Sequence, residues 1–130
     1  PEALRPLRPV LDTPAPDPAL ADRLRQLIEV EQVFREEGLM IAGLAERLGV
    51  HEYKVRQLIN AQLGFKNFNN FLHHYRIQEA QKVLGDPGRA HLGVAQIAYE
   101  VGYRSLGPFN KAFKESTGQT PTEFRAATRA

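Results

Sequence analysis

An all-α fold is predicted by three features of this sequence. Apolar residues recur three and four positions apart through most of the chain, which is the period of one helix face. Most of these runs begin at a capping residue or a proline and end at a glycine. Strand signals, in which apolar and polar residues alternate, are absent. We therefore expect about seven helices.

The first sixteen residues, PEALRPLRPVLDTPAP, contain five prolines and no helical period. This composition is typical of an interdomain linker or a disordered lead, which we assign to residues 1–16. The chain opens with Pro1 rather than methionine and shows no signal peptide. We therefore interpret it as a fragment of a longer protein.

Three helices are predicted in the next part of the chain. The first is capped by Asp17 and covers about 17–37. The second covers about 41–48, and the third covers about 51–62. Gly49 lies between these two helices and predicts a tight turn.

Four helices are predicted in the remainder. The longest covers about 67–84 and is ended by the stretch GDPGRAHLG at 85–93. Three shorter helices follow at about 94–101, 105–117 and 121–127.

The last two helices have well-marked starts. Ser105 is a good N-cap residue, and Pro108 lies within the first turn, where its missing N–H removes no helical bond. Thr120 and Glu123 form a capping box around Pro121, which suits the first helical position.

Two stretches of the chain repeat one another. IAGLAERLGV at 41–50 and VAQIAYEVGY at 94–103 superpose at a spacing of 53, with apolar, small and glycine residues at matching positions. After the turn the match resumes at a spacing of 54. Each copy has the pattern of a helix-turn-helix, with a small residue where the helices cross and glycine at the turn. We predict two helix-turn-helix subdomains, 17–92 and 93–130, with the long connecting helix in the first.

The net charge of +2 hides an uneven distribution. Residues 1–52 carry 6 Lys/Arg against 10 Asp/Glu, whereas residues 53–130 carry 11 against 5. A basic half on a small domain indicates a polyanionic partner. An ordinary solvated surface gives the same balance, so charge alone leaves both interpretations open.

The second repeat and its continuation, IAYEVGYRSLGPFNKAFKESTGQTPTEFR, resemble the second helix-turn-helix signature of AraC/XylS-type bacterial transcription regulators. The fragments LAERLGV, VRQLIN, LGF and YRIQEA resemble that family's first motif and connecting helix. The resemblance covers about Leu39 to Arg125. It implies sequence-specific binding of double-stranded DNA by two recognition helices, which enter successive major grooves on one DNA face. It also implies RNA polymerase as a partner, an effector or dimerisation domain N-terminal to this fragment, and a cytoplasmic location at the nucleoid. Membrane tethering through a missing N-terminal region stays open as an alternative.

The resemblance assigns two sets of residues in the first motif. The implied base-reading residues are Tyr53, Lys54, Arg56 and Gln57. Their chemistry agrees, because arginine can donate two hydrogen bonds to guanine and glutamine can bridge adenine. The expected phosphate contacts are Asn60, Lys66 and Asn67, and Asn67 also suits the cap of the long helix.

In the second recognition helix the family's base-reading positions fall on Leu106, Gly107, Pro108, Asn110 and Lys111. The first three have no side-chain hydrogen-bond donor, so only Asn110 and Lys111 are candidate readers. We therefore expect this helix to act mainly as a clamp on phosphates, using its N-terminal N–H groups with Arg104, Ser105 and Lys114. Alternatively, the Gly-Pro turn is only a local packing solution.

No catalytic residue, cofactor or metal is expected. The chain has no cysteine, no phosphate loop and no nucleophile elbow, and the adjacent His73 and His74 lie on different helix faces. We expect Arg76 and Glu79 to form an i,i+3 pair on the long helix. The phenylalanines interpreted as core are Phe65, Phe68, Phe71, Phe109, Phe113 and Phe124.

Three alternatives to a regulator fragment stay open. A stand-alone monomeric activator of the same family has no need of the Pro-rich lead. The DNA-binding portion of a DNA-repair alkyl-transfer protein requires a thiolate, which this chain cannot supply because it has no cysteine. A protein-interaction module does not account for the basic charge after residue 52.

Overall fold

A computed structural model describes residues 17–129 of the chain. In this range the expected all-α class is confirmed, and no strand occurs. The α-helices are α1 Pro18–Arg25, α2 Ile41–Leu48, α3 Glu52–Gln57, α4 Phe68–Gly85, α5 Val94–Glu100, α6 Leu106–Thr117 and α7 Pro121–Arg129. The π turns Gln26–Val30 and Leu58–Gln62 extend α1 and α3, and the short 3-10 helices are Val33–Arg35 and Pro87–Arg89. The lead expected at 1–16 lies outside the described residues.

Within the described part, none of the helices combines the length and apolar character needed to cross a membrane.

The first helix is shorter than the sequence predicts. Asp17 caps it as expected, since its carboxylate accepts a hydrogen bond from the N–H of Leu20 at 3.0 Å. The helix ends after its π turn at Val30, so the expectation of one helix to Glu37 is wrong. Gln32 has a left-handed φ of 56° and turns the chain away from the helix axis.

Burial explains this break. Leu24 and Ile28 lie on one buried face of the first helix, and the adjacent Val33 and Phe34 are also both buried. At 3.6 residues per turn, a straight helix would place Val33 about 140° from Ile28 and opposite Leu24, facing away from the core. The turn at Gln32 allows both side chains to reach the core.

The two predicted repeats adopt the same turn. In the first, the N–H of Val50 donates to the carbonyl of Ala45 at 3.1 Å. In the second, the N–H of Tyr103 donates to the carbonyl of Ala98 at 2.9 Å. Both alanines are buried where the paired helices cross. We call α2–α3 the first helix pair and α5–α6 the second helix pair.

The glycines of these turns both need positive φ, but their surroundings differ. Gly49 has φ 70° and Gly102 has φ 112°. A Cβ on Gly49 would meet nothing within 4 Å. A Cβ on Gly102 would lie 2.7 Å from the carbonyl oxygen of Phe34 and 2.8 Å from Nε of Arg76. The second turn is therefore in close contact with the rest of the molecule at its glycine, whereas the first turn is open at its glycine.

The apolar side chains form two clusters, and the long helix α4 contributes to both. Its N-terminal half packs on the first helix pair through Phe71 and Leu72. Its C-terminal half packs on the second pair through Ile77, Ala80 and Leu84. The boundary between the two subdomains after residue 92 stays a prediction. Because α4 contributes to both clusters, we propose that the two helix pairs share it.

The expected helix starts are observed, with one exception. The side chain of Asn67 caps α4 by accepting from the N–H of Asn70 at 2.8 Å. Thr120 and Glu123 bond reciprocally at 2.9 and 3.1 Å, which confirms the capping box, and these bonds lower the pKa of Glu123. Ser105 occupies the N-cap position of α6, but its hydroxyl forms no capping bond.

The expected pair between Arg76 and Glu79 is wrong. Arg76 is only 8% exposed and donates to the carbonyls of Phe34 and Glu36 at 2.7 and 3.0 Å. Glu79 instead binds Arg35 at 2.6 Å. The segment that follows the break in the first helix brings these partners to α4, which local spacing does not reveal.

Candidate nucleic-acid interface

The third helix presents its predicted base-reading residues on its outer surface. Val55, Leu58 and Ile59 are fully buried, so the helical period turns the remaining positions outward. Tyr53 is 59% exposed, and Arg56 is also exposed. The outward residues of the predicted set are Tyr53, Lys54, Arg56 and, half-buried, Gln57.

Arg56 is only weakly engaged by the protein. Its Nη2 atom lies 3.8 Å from the carboxylate of Glu52, one turn earlier on the same helix, and both side chains are about half exposed. Exposed pairs of this kind are worth about 0.3–0.5 kcal/mol. The Arg56 guanidinium is therefore available to form hydrogen bonds with a ligand in place of this pair.

Three predicted residues of the first motif share one cleft. It has a volume of about 330 Å³ and lies between the starts of α2 and α4 and the outer side of α3. Arg56, Asn60 and Asn67 line it. Lys66 is exposed in the loop before α4, next to Asn67.

A second cleft, of about 620 Å³, lies at the equivalent place in the second repeat. It is bounded by the starts of α5 and α7 and the outer side of α6. Asn110 and Lys114 line it and stand 54 positions after Arg56 and Asn60, which is the spacing of the repeat. The repeat therefore includes the outer clefts as well as the core.

The start of α6 exposes mostly apolar groups. Phe109 and Phe113 are fully buried, whereas Leu106 is 36% exposed and Gly107 and Pro108 are also on the surface. The polar residues predicted here are exposed too: Arg104, Ser105, Asn110, Lys111 and Lys114.

Gly107 precedes Pro108 in the first turn of α6, where a Cβ would crowd the proline ring and disfavour the helical conformation. Apart from its chain neighbours, a Cβ there would meet nothing within 4 Å, and its φ is not positive. Glycine in a helix costs up to about 1 kcal/mol relative to alanine. Its lack of a side chain therefore leaves room for something outside the protein to approach the backbone.

Arg104 is held by a carboxylate from a distant part of the chain. Its Nε donates to Glu37 at 2.8 Å, with the side chains 78% and 55% exposed. A phosphate bound at Arg104 would compete with this pair.

The sequence did not indicate the cluster around Arg76. The Arg76 guanidinium lies 5.3 Å from the centroid of the Tyr103 ring, and Nδ1 of His73 lies 2.6 Å from the Tyr103 hydroxyl. Burial raises the pKa of Tyr103 to about 12, against the opposing effect of Arg76. Burial, with a smaller contribution from Arg76, lowers the pKa of His73. One signal was available, because Arg76 lies four residues after Leu72 and four before Ala80 on the inward face of α4.

The histidines of α4 pack on aromatic rings. His73 stacks on Tyr103, and the ring of His74 lies 5.2 Å from that of Phe65. In the described part of the chain, no cluster of three or more acidic, histidine or cysteine side chains is arranged to hold a metal ion.

Comparison with known proteins agrees with this architecture. The profile of a helix-turn-helix domain family matches residues 44–127. A probable thc operon regulatory protein from Rhodococcus erythropolis is 31% identical over 83% of this chain and 32% of its own length. An uncharacterised helix-turn-helix transcriptional regulator of Staphylococcus aureus is 28% identical over 80% of the chain, which spans only 13% of that protein. The chain thus spans a third or less of these curated relatives.

Two solved structures share the fold. The C-terminal domain of AraT, a response regulator from Geobacillus stearothermophilus, superposes with a TM-score of 0.72 at 29% identity, covering 83% of this chain and 84% of that domain. The DNA-binding domain of AdpA, a global transcriptional factor solved with a target DNA, superposes with a TM-score of 0.71 at 23% identity, covering 85% and 92%. With its two matching helix pairs and its profile match over 44–127, the chain belongs to the AraC-type helix-turn-helix family.

Proposed function

We propose that this chain is the DNA-binding part of a bacterial transcription regulator and binds duplex DNA with sequence specificity. The observation that carries this proposal is the repeated outer cleft. Two helix pairs each bury one side of their second helix and expose polar and basic groups on the other. A helix of this kind fits the DNA major groove.

In the first helix pair, α3 supplies the base readers. Arg56 and Gln57 carry side chains that can form paired hydrogen bonds with guanine and adenine. Tyr53 contacts a thymine methyl or a phosphate, and Lys54 lies alongside. Asn60, Lys66 and Asn67 contact phosphates and position the helix.

In the second helix pair, α6 serves mainly as a clamp. The exposed start of the helix places free N–H groups beside Ser105, and Arg104 and Lys114 add positive charge, which suits a phosphate. Asn110 and Lys111 are the remaining side chains that can reach base edges. The two helices therefore contribute unequally to sequence recognition.

The other partners follow from the proposed role in transcription. RNA polymerase is the partner at the promoter, and an effector or dimerisation domain lies N-terminal to Pro1 in the full protein. We place the protein in the cytoplasm, at the nucleoid. We assign the chain no catalytic function.

Binding to duplex DNA is expected to fall steeply with salt. The proposed contacts use six Lys or Arg side chains, and each phosphate neutralised releases condensed counterions. We expect affinity for a preferred duplex to fall about 10³-fold between roughly 50 and 200 mM monovalent salt. Fluorescence anisotropy at several salt concentrations measures the slope.

Matched variants sharpen this test. Lys114→Gln should reduce the magnitude of the log–log slope by about 0.9. Lys82→Gln, on the exposed face of α4 beside Glu29 and Gln32, should leave it unchanged. Affinity that stays flat between low and moderate salt would contradict the proposed function.

Gly107→Ala is expected to weaken DNA binding with little net change in stability. The gain in helix propensity, up to about 1 kcal/mol, is opposed by crowding of the new Cβ against the Pro108 ring. The added methyl fills the space through which DNA approaches, at a cost of about 1–3 kcal/mol in affinity. Urea denaturation and anisotropy measure the two effects.

Gly85→Ala is the matched control for this substitution. Gly85 also lies at a helix end, and its added Cβ would contact the side chain of Thr128 at an ordinary 3.9 Å. We expect unchanged DNA affinity in this variant. If Gly107→Ala also leaves DNA affinity unchanged, the proposal that DNA approaches the backbone closely at Gly107 is wrong.

A further inference from the structure

Residues 34–37, which we call the joint segment, lie between the two helix pairs and contact both. The carboxylate of Glu36 pairs with Arg47 of α2 at 2.6 Å. The guanidinium of Arg35 donates to the backbone carbonyl of Glu100, at the end of α5, at 3.0 Å. One short segment therefore contacts the first helix of each pair.

The same segment is tied to the shared helix α4. Arg76, on α4, donates to the carbonyls of Phe34 and Glu36, and its guanidinium lies over the ring of Tyr103 in the second turn. Arg35 also pairs with Glu79 of α4 at 2.6 Å, where both side chains are mostly buried. Charged hydrogen bonds in such surroundings are stronger than exposed ones, so these contacts resist displacement.

The glycine of the second turn is in close contact with the joint segment, and the glycine of the first turn is not. The closest approach is at Gly102, where an added Cβ would lie 2.7 Å from the Phe34 carbonyl. The equivalent Gly49 has open space. The two repeats therefore differ at their turn glycines. In the second repeat the turn lies against the joint segment, and the joint segment also contacts α2 of the first helix pair.

We propose that the joint segment and Arg76 position the second helix pair relative to the first and thereby set the spacing between the two DNA segments that the protein recognises. Arg76 and Arg35 are positioning residues, because they act through the turn at Gly102 and the end of α5. The pair between Glu37 and Arg104 extends the same connection to a proposed phosphate contact. The inference concerning DNA rests on the proposed function.

The first test measures the spacing preference. A preferred duplex is varied by inserting or deleting one or two base pairs between the two recognised segments, and affinities are compared. The unmodified chain should favour one spacing by about tenfold or more. Arg76→Lys should reduce this preference to within about threefold, while base preference in the segment bound by α3 is retained.

Two further variants complete the design. Arg35→Gln removes the contacts to Glu79 and Glu100 from a less buried position, and it serves if Arg76→Lys lowers stability too far for binding assays. Arg25→Gln removes exposed pairs of the first helix and its π turn, to Asp22 and Glu29, and should retain the full spacing preference. Equal loss of affinity at every spacing, with the preference intact, would overturn the proposal.

The second test does not depend on DNA. The chain has no cysteine, so Ala61→Cys on the end of α3 and Ser116→Cys on α6 provide two unique sites for spin labels on exposed positions. The distance distribution between the labels should be narrow, and Arg76→Lys or Arg35→Gln should broaden it. An unchanged width of the distance distribution in both variants would refute the proposal that the joint segment positions the second helix pair. If the unmodified chain fails to bind duplex DNA, the proposed function is wrong, and this measurement still decides whether the joint exists.

Discussion

Replacing Gly102 by alanine should destabilise the protein by about 2–5 kcal/mol, because two costs add at this position. The backbone has φ 112°, which L-residues rarely adopt. The new Cβ would also lie within 3 Å of the Phe34 carbonyl and of Nε of Arg76. Neither neighbour can withdraw without loss of the hydrogen bond between them, which is 2.7 Å long.

Gly49→Ala provides the matched control, since Gly49 occupies the same turn in the first repeat. It carries the cost of positive φ, about 1–2 kcal/mol, without a clash. Urea denaturation followed by circular dichroism gives both free energies of unfolding. Equal losses for the two variants would show that the second turn is not held by the joint segment.

Arg56→Ala should weaken binding to the preferred duplex by about 1–3 kcal/mol and relax the preference at one base pair. The side chain is exposed on the outer face of α3 and held only by a 3.8 Å pair with Glu52. Its removal should therefore leave the fold intact. Binding to a library randomised at each position of the site measures both affinity and preference.

Lys66→Ala is the comparison for this variant. Lys66 lies in the loop before α4, where a lysine contacts phosphate rather than base edges. Its loss should lower affinity about equally for all sequences and reduce the salt slope by about 1. If both variants show the same profile across the library, the assignment of base reader and phosphate contact is wrong.

Local sequence signals were sufficient for most of the helices. Periodicity with caps and glycine stops placed α2, α5, α6 and α3 together with its π turn within a residue or two. The repeat predicted that the turns at Gly49 and Gly102 would match. These features depend on neighbours in sequence. The outward positions of α3 followed from the same period, because burial of Val55 and Ile59 determines which residues face outward.

What the sequence failed to predict depends on contacts between distant residues. The first helix breaks before Glu37 because Val33 and Phe34 both pack inward and the carbonyl of Phe34 accepts from Arg76, 42 residues further along the chain. Local spacing predicts a pair between Arg76 and Glu79. In the folded chain Arg76 instead donates to backbone carbonyls of the joint segment, and Glu79 pairs with Arg35. The equivalence of the two outer clefts likewise depends on where α4 and α7 begin in space.

Selection of bound sequences from a random duplex pool tests the central claim most directly. We predict a motif whose two halves differ in information content. The half bound by α3 should be sharply defined, because Arg56 and Gln57 can distinguish bases. The other half, about one helical turn away, should be degenerate or dependent on DNA shape, because α6 begins with Leu106, Gly107 and Pro108. Two equally informative halves would contradict the account, and would mean that Asn110 and Lys111 read bases as fully as α3 does.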